Sequence, residues 1–153
     1  MVKRMALVLA LLGAWATVLP VAAEDKDDSG KNDLKKFQGT WTFVSMEQDG
    51  KQQPKGDEPQ TITFEGDKFT VKMGDKIVQA GTQKLDPSKK PKAVDAAITE
   101  GEGKGTTMLG IYAVEGDTIK ACFDPQGKKR PTEFKSAAGS GNMLAVIKRA
   151  DKK

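Results

Sequence analysis

The stretch Q-T-I-T-F-E-G-D-K-F-T-V-K-M, Gln60 to Met73, holds two runs of alternating polarity around the turn Glu65-Gly66-Asp67-Lys68. Ile62 and Phe64 share one face of the first run, and Phe69, Val71 and Met73 alternate along the second. Successive side chains of a strand point to opposite faces, so this pattern predicts two strands. Glycine adopts a positive φ at little cost and Asp bonds its own backbone, so the turn predicts a hairpin between them. Met73-Gly74-Asp75-Lys76 and Glu115-Gly116-Asp117-Thr118 are near copies of that turn and predict two more hairpins. Shared turn chemistry accounts for the likeness, because the flanking strands match too poorly for a duplication.

Working outward, the same alternation recurs along the chain. The expected strands are Thr40 to Glu47, Gln60 to Glu65, Lys68 to Met73, Lys76 to Leu85, Lys92 to Thr99, Thr106 to Val114, Thr118 to Phe123 and Asn142 to Arg149. The first is closed by an Asp49-Gly50 turn, and a polar loop runs from Lys51 to Pro59. Asp33 is placed to cap a single helical turn, Leu34 to Phe37, which Gly39 ends. No long 3.6-residue pattern follows. Eight short strands joined mainly by hairpins predict an all-β, antiparallel, up-and-down meander, which closes into a barrel or stays a sandwich; closure removes the exposed edges. A barrel of eight strands has an interior that is filled by side chains or holds one small ligand.

The start of the chain carries an address. Lys3 and Arg4 precede an almost wholly apolar run from Met5 to Leu19, which Pro20 breaks. Val21-Ala22-Ala23 follows, with small residues where a signal peptidase cuts, and Glu24 opens a charged stretch. This is the pattern of a secretory signal peptide over residues 1–23. The competing reading is a retained anchor, but the run is short of the ~20 residues that a spanning helix needs. Cleavage after Ala23 predicts a mature chain with no membrane span, placed in the periplasm or outside the cell. Residues 24–32 read as a flexible charged tether, and residues 33–150 as one domain.

Loss of Lys3 and Arg4 leaves 23 basic residues against 21 acidic ones, a net +2. The charges are interleaved without a long basic run, so a solvated surface is the simpler reading and nucleic acid is not an expected partner. The single cysteine, Cys122, excludes an internal disulfide and a lipidated N-terminal cysteine. The chain has no histidine, which removes Ser-His-Asp and Cys-His catalysis and imidazole-based zinc sites.

Phe37-Gln38-Gly39-Thr40-Trp41 sets a G-x-W at the head of the first strand, and Ile147-Lys148-Arg149 ends the last. The placement resembles lipocalin-type barrels, in which a first-strand Trp closes one end and a last-strand Arg lies across its indole. That resemblance implies a closure built from Gly39, Trp41 and Arg149, with a cation–π contact between the last two. A broader likeness runs through D-L-K-K-F-Q-G-T-W from Asp33, T-F-E-G-D-K-F from Thr63, L-D-P-S-K-K-P-K from Leu85, L-G-I-Y from Leu109, E-G-D-T-I-K-A-C-F from Glu115 and R-P-T-E-F from Arg130. In these segments the chain is similar to a family of secreted lipocalin-like domains abundant in planctomycete bacteria. That family has no established activity, so the resemblance implies fold and export and supplies no catalytic residue.

The remaining motifs are weak as chemistry. Gly101 to Thr107 is glycine-rich, but Gly105 follows Lys104 and a strand follows the loop, where a phosphate loop needs Ser or Thr and then a helix. Glu24 to Asp28 lacks the order of a calcium loop. Cys122 lies near Lys120 along its strand, with no base or partner cysteine to activate it. Lys104 and Arg130, on loops at a barrel mouth, are candidates for an anionic head group; the plainer reading pairs Arg130 with Glu133 to fix a loop. Tyr112, with Phe43, Met46, Met73 and Met108, is a candidate cavity lining or ordinary core.

These features predict an exported, non-enzymatic binding domain that holds a small apolar or amphipathic ligand in or at the mouth of the barrel. An apolar cavity of roughly 300 Å³ or more is the structural requirement for the ligand to lie inside. The alternative is a cell-envelope interaction or structural module with a filled core, bound to an envelope protein through its Lys/Gly/Pro-rich loops. No cofactor or metal is expected. An enzyme would have to be built on Cys122 with Lys120, or on Glu133 with Arg130.

Overall fold

The computed structural model describes residues 26–150; the leader and cleavage site expected from the sequence lie outside the described residues. One helix, α1 (Lys26–Phe37), precedes nine strands: β1 (Gly39–Gln48), β2 (Lys51–Gln52), β3 (Gln60–Glu65), β4 (Lys68–Met73), β5 (Lys76–Asp86), β6 (Lys92–Gly101), β7 (Thr107–Glu115), β8 (Thr118–Asp124) and β9 (Met143–Arg149). From β3 to β9 each strand pairs antiparallel with the next, β1 pairs with β3, and β1 also pairs with β9. The result is a closed, eight-stranded, antiparallel up-and-down barrel, with β2 a short ninth strand on the end of β1.

The turns are formed as their residues dictate. Gly66, Gly74 and Gly116 have φ near +60°, and each is the first of two central residues. A positive φ at that position alone is what a type II′ hairpin turn requires, and its hand matches the twist of the strands. Asp49 and Gly50 both have positive φ, the type I′ pattern, so the chain doubles back after Gln48 and Lys51 pairs with it. That pairing makes β2, where the sequence predicted only loop.

The helix is longer than the single turn expected. It begins at Lys26 and takes in most of the segment read as a tether. Asp33 is therefore inside the helix and caps nothing. The helix carries almost no apolar residues, but Phe37 is buried in the barrel end and Asp33 beneath it is also buried. Tertiary contact, rather than helix propensity, holds it.

The strand hairpins set the two ends of the barrel apart. The β3–β4, β5–β6 and β7–β8 turns lie at the end that carries α1. Here Trp41, Phe64, Phe69, Val94, Tyr112, Ile119 and Ile147 are all buried and form the core with Phe37. At the other end the inward-facing Phe43, Phe123 and Met143 are only half-buried. There β1 leaves β3 after Thr42, and the backbone of Gln53 bonds the Met46 carbonyl instead (2.7 Å). A groove of about 420 Å³ lies along this gap, next to Val44 and Met73.

Residues 125–142 form no regular strand. They fold back over the outer wall of β6 to β9, so that Ala93, Ile111 and Cys122, on the outer face of their strands, are buried as well. Gly110, inward on β7, makes room for Phe123: a Cβ there would drive into its ring.

Candidate functional site

The helical end is a closed structure. Trp41 stands opposite Arg149 in the β1–β9 register, and the guanidinium lies 4.3 Å from the indole centroid. The contact expected from the sequence is therefore present. Arg149 Nη1 also donates to the Gln38 carbonyl (2.9 Å) and Nη2 to that of Lys36 (3.0 Å), so one side chain ties helix, first strand and last strand together. Trp41 Nε1 donates to the Phe37 carbonyl at 2.7 Å. Gly39 has φ +107°, and a Cβ on it would come within 3.3 Å of Arg149 Nη1; glycine is the residue that fits both demands.

A buried polar group lies under the helix. The Asp33 carboxylate accepts from the Tyr112 hydroxyl (2.7 Å), Lys92 Nζ (2.8 Å) and, more loosely, Lys36 Nζ (3.4 Å). Burial alone would raise the Asp33 pKa; the bonds from Lys92 and Tyr112 and the charge of Lys92 outweigh it and hold the carboxyl below its ordinary value. The Tyr112 hydroxyl is pushed well above its ordinary value, by burial first and by Asp33 second. Tyr112 thus does line the inside, but its polar atom is committed to the closure.

The interior holds a cavity of only about 90 Å³. That is far below the ~300 Å³ at which pockets for whole small molecules begin. Its walls are apolar, with Gln79 and Gln83 as inward-facing amides. Gln79 Nε2 donates to the Glu102 carbonyl (2.7 Å). Gln83 is 9 % exposed, and its Nε2 has no hydrogen-bond partner. Neither amide stood out in the sequence, where the β5 strand shows no clean inside face: Gln79, Gly81 and Gln83 alternate with Val78, Ala80 and Thr82.

Arg130 does not reach a barrel mouth. It lies on the outer wall, where Nη1 donates to the carbonyls of Val94 (3.0 Å) and Gly110 (2.7 Å) and Nη2 to Asp95 (2.6 Å). The structural reading of Arg130 is the one the contacts match, with Asp95 as partner; Glu133 faces Lys135 instead, at 3.8 Å. Asp124 fixes the start of the same loop by accepting from the backbone N–H groups of Gln126, Lys128 and Lys129, each at 2.9 Å. These bonds outweigh its burial and hold its pKa below the ordinary value.

Lys104 is exposed on the β6–β7 turn. Seven residues of β6 separate Val94, where Arg130 is anchored, from Gly101 at that turn, a span of roughly 20 Å at the rise of a strand. Lys104, Tyr112 and Arg130 therefore occupy three separate places, and no single ligand head meets them together. Cys122 is buried on the outer face and donates to the Lys135 carbonyl (3.3 Å). Burial raises its thiol pKa above the ordinary value. Among the described residues no cluster of His, Cys, Asp or Glu is arranged to hold a metal ion, and no helix is long and apolar enough to cross a membrane.

Next to Arg130 is a cleft of about 430 Å³, between the β5–β6 connection and the returning loop. Ala93, Ile111, Pro91 and Pro131 supply apolar walls, and Lys84, Lys89 and Lys90 stand exposed around it. Arg130 and Asp95 pair within it, and the three lysines outnumber the one further carboxylate of its lining, Asp86. The sequence signal was present in S-K-K-P-K and K-K-R-P, but these runs lie about 40 residues apart and nothing local brings them together. No protein-family model, curated protein or solved structure was found to match the chain.

Proposed function

We propose that the mature chain works outside the cytoplasm as a non-enzymatic binding domain, and that its ligand is amphipathic and anionic and lies on the outer wall of a filled barrel. The observation that carries this is the 430 Å³ cleft with apolar walls, in which Lys84, Lys89, Lys90 and Arg130 outnumber the carboxylates Asp86 and Asp95. It has the volume of a small-molecule pocket, which the interior lacks. A compact apolar body would cover Ala93, Ile111 and the two prolines. A carboxylate or phosphate would sit among Lys84, Lys89 and Lys90. Arg130 serves by holding the wall in shape.

Export is supported by the leader pattern of residues 1–23 and by the likeness to secreted lipocalin-like domains. The non-enzymatic reading is supported by the lack of histidine and by the state of the two catalytic candidates. The Cys122 thiol is buried and harder to ionise than usual, and Glu133 is an exposed side chain beside Lys135. A second reading, an envelope-protein interaction module, is supported by the groove at the β1–β3 gap. Val44 and Met73, both next to it, are 42 % and 39 % exposed.

The test is an NMR titration of residues 24–153 with sodium octanoate, against neutral octanol as control. Octanoate is expected to shift Ala93, Ile111 and Lys90, to weaken with salt, and to lose roughly tenfold in affinity in the Lys89→Glu/Lys90→Glu variant. Shifts confined to Phe43, Phe123 and Met143 would move the site to the open end, and no saturable shift at all would end the proposal.

A further inference from the structure

We infer that the barrel also contains a small internal binding site, in which the Gln83 side chain holds the hydroxyl of a short, neutral alcohol. It does not depend on the outer cleft. Gln83 faces inward from β5, opposite Ala96 in the β5–β6 register, and is nine-tenths buried. Its Nε2 is the buried side-chain nitrogen or oxygen that lacks a partner among the described residues. A buried donor left unpaired costs about 1–3 kcal/mol, so an acceptor delivered to this point is favoured by about that much. The other donors on the cavity wall are committed, Gln79 Nε2 to the Glu102 carbonyl and the Tyr112 hydroxyl to Asp33.

The surroundings select the ligand. Phe69, Val71, Val94, Ala96, Met108 and Ile119 line the cavity, and no charged side chain does. An ion would lose its hydration there with nothing to replace it, so carboxylates and amines are rejected. A hydroxyl both donates and accepts, and therefore satisfies the amide whichever way round its oxygen and nitrogen lie. The 90 Å³ available matches about three water-sized groups, which is a chain of three or four heavy atoms. Such a molecule enters past Phe43, Phe123 and Met143, the half-buried residues of the end that no helix covers.

The experiment is a methyl-detected NMR titration of residues 24–153 with ethanol and 1-propanol, and with sodium acetate as the charged control. The Ala96 and Met108 methyl signals are expected to shift saturably with both alcohols and not with acetate. Gln83→Leu and the volume-conserving Gln83→Met are expected to weaken alcohol binding roughly tenfold, the loss of one buried hydrogen bond. Two variants guard against a repacking effect of either one. Shifts that never saturate, acetate binding as well as 1-propanol, or unchanged affinity in both variants would overturn the site and leave a cavity that holds water alone.

Discussion

The two ends of this barrel are made of the same strands and do different work. At the helical end every inward aromatic is buried, the indole of Trp41 is covered by Arg149, and the one buried carboxylate has two close partners. At the other end Phe43, Phe123 and Met143 keep part of their surface, and β1 and β3 separate. The difference shows how a short up-and-down barrel divides stability from access. Cohesion is concentrated where a helix is available to cover the apolar surface, and the uncovered end is left with less to lose. The largest test is to truncate a side chain at each end. Trp41→Ala is expected to cost about 3–5 kcal/mol in chemical denaturation. Met143→Ala should cost no more than about 2 kcal/mol, since the side chain keeps part of its surface in water and the open end can relax around the loss. Equal losses would break the comparison.

The buried carboxylate sharpens it by pH. Asp33 has a lowered pKa in the folded chain, so its contribution is complete above the ordinary carboxylate range and is lost as pH falls through the folded value. Tyr112 has a raised pKa, so its contribution is complete below pH ~10 and is lost at higher pH. Stability is therefore expected to fall on both the acid and the alkaline side. Asp33→Asn should cost about 2–3 kcal/mol at pH 7 and reduce the acid dependence, the remainder coming from Asp124. Tyr112→Phe should cost about 1 kcal/mol and remove the alkaline dependence. Thermal melts across pH 3 to 11 read both. An unchanged acid limb in Asp33→Asn would show that the closure is not electrostatic.

Arg149→Ala comes next, at about 1–2 kcal/mol for one cation–π contact and two bonds to helix-end carbonyls. Arg149→Lys keeps the charge but not the fork that reaches both carbonyls, and should recover less than half. Full recovery by Lys would mean that charge over the indole is all that matters.

What was legible in the sequence was whatever is decided locally. The Gly-Asp turns and the alternation of Ile62, Phe64, Phe69 and Val71 fix hairpins within fourteen residues, and the strands fall where they place them. Trp41 against Arg149 was legible through the resemblance to lipocalin-type barrels. What escaped depends on partners far along the chain. Asp33 looked like a helix cap because its real partners, Lys92 and Tyr112, are 59 and 79 residues away. Arg130 looked paired with Glu133, three residues on, whereas Asp95 is 35 residues back. The helix from Lys26 was hidden by its charge, since it meets the barrel through the buried Asp33 and Phe37 and little else in it is apolar. The cleft needed the return of the 125–142 loop, which no periodicity announces.

The smallest expected effect lies inside the barrel toward its helical end, at Gln83, whose backbone N–H donates to the Asp67 carbonyl. Its amide is inward and buried, and its Nε2 has no partner. Replacing an unsatisfied buried group by an apolar one of similar shape is neutral to stabilising, because the folded state no longer carries a desolvated donor. Met is unbranched, close in volume to Gln and adaptable to the irregular space beside Val94 and Met108. Gln83→Met is therefore expected to raise stability by about 0.5–1.5 kcal/mol in protein free of any alcohol, measured by denaturation at pH 7. Such a gain would mean that the chain keeps a less stable residue at this point, as a binding group requires and a packing residue does not. A loss of 1 kcal/mol or more would mean that the amide already has its bonds in solution, and that the interior is closed along its whole length rather than graded from a sealed end to an open one.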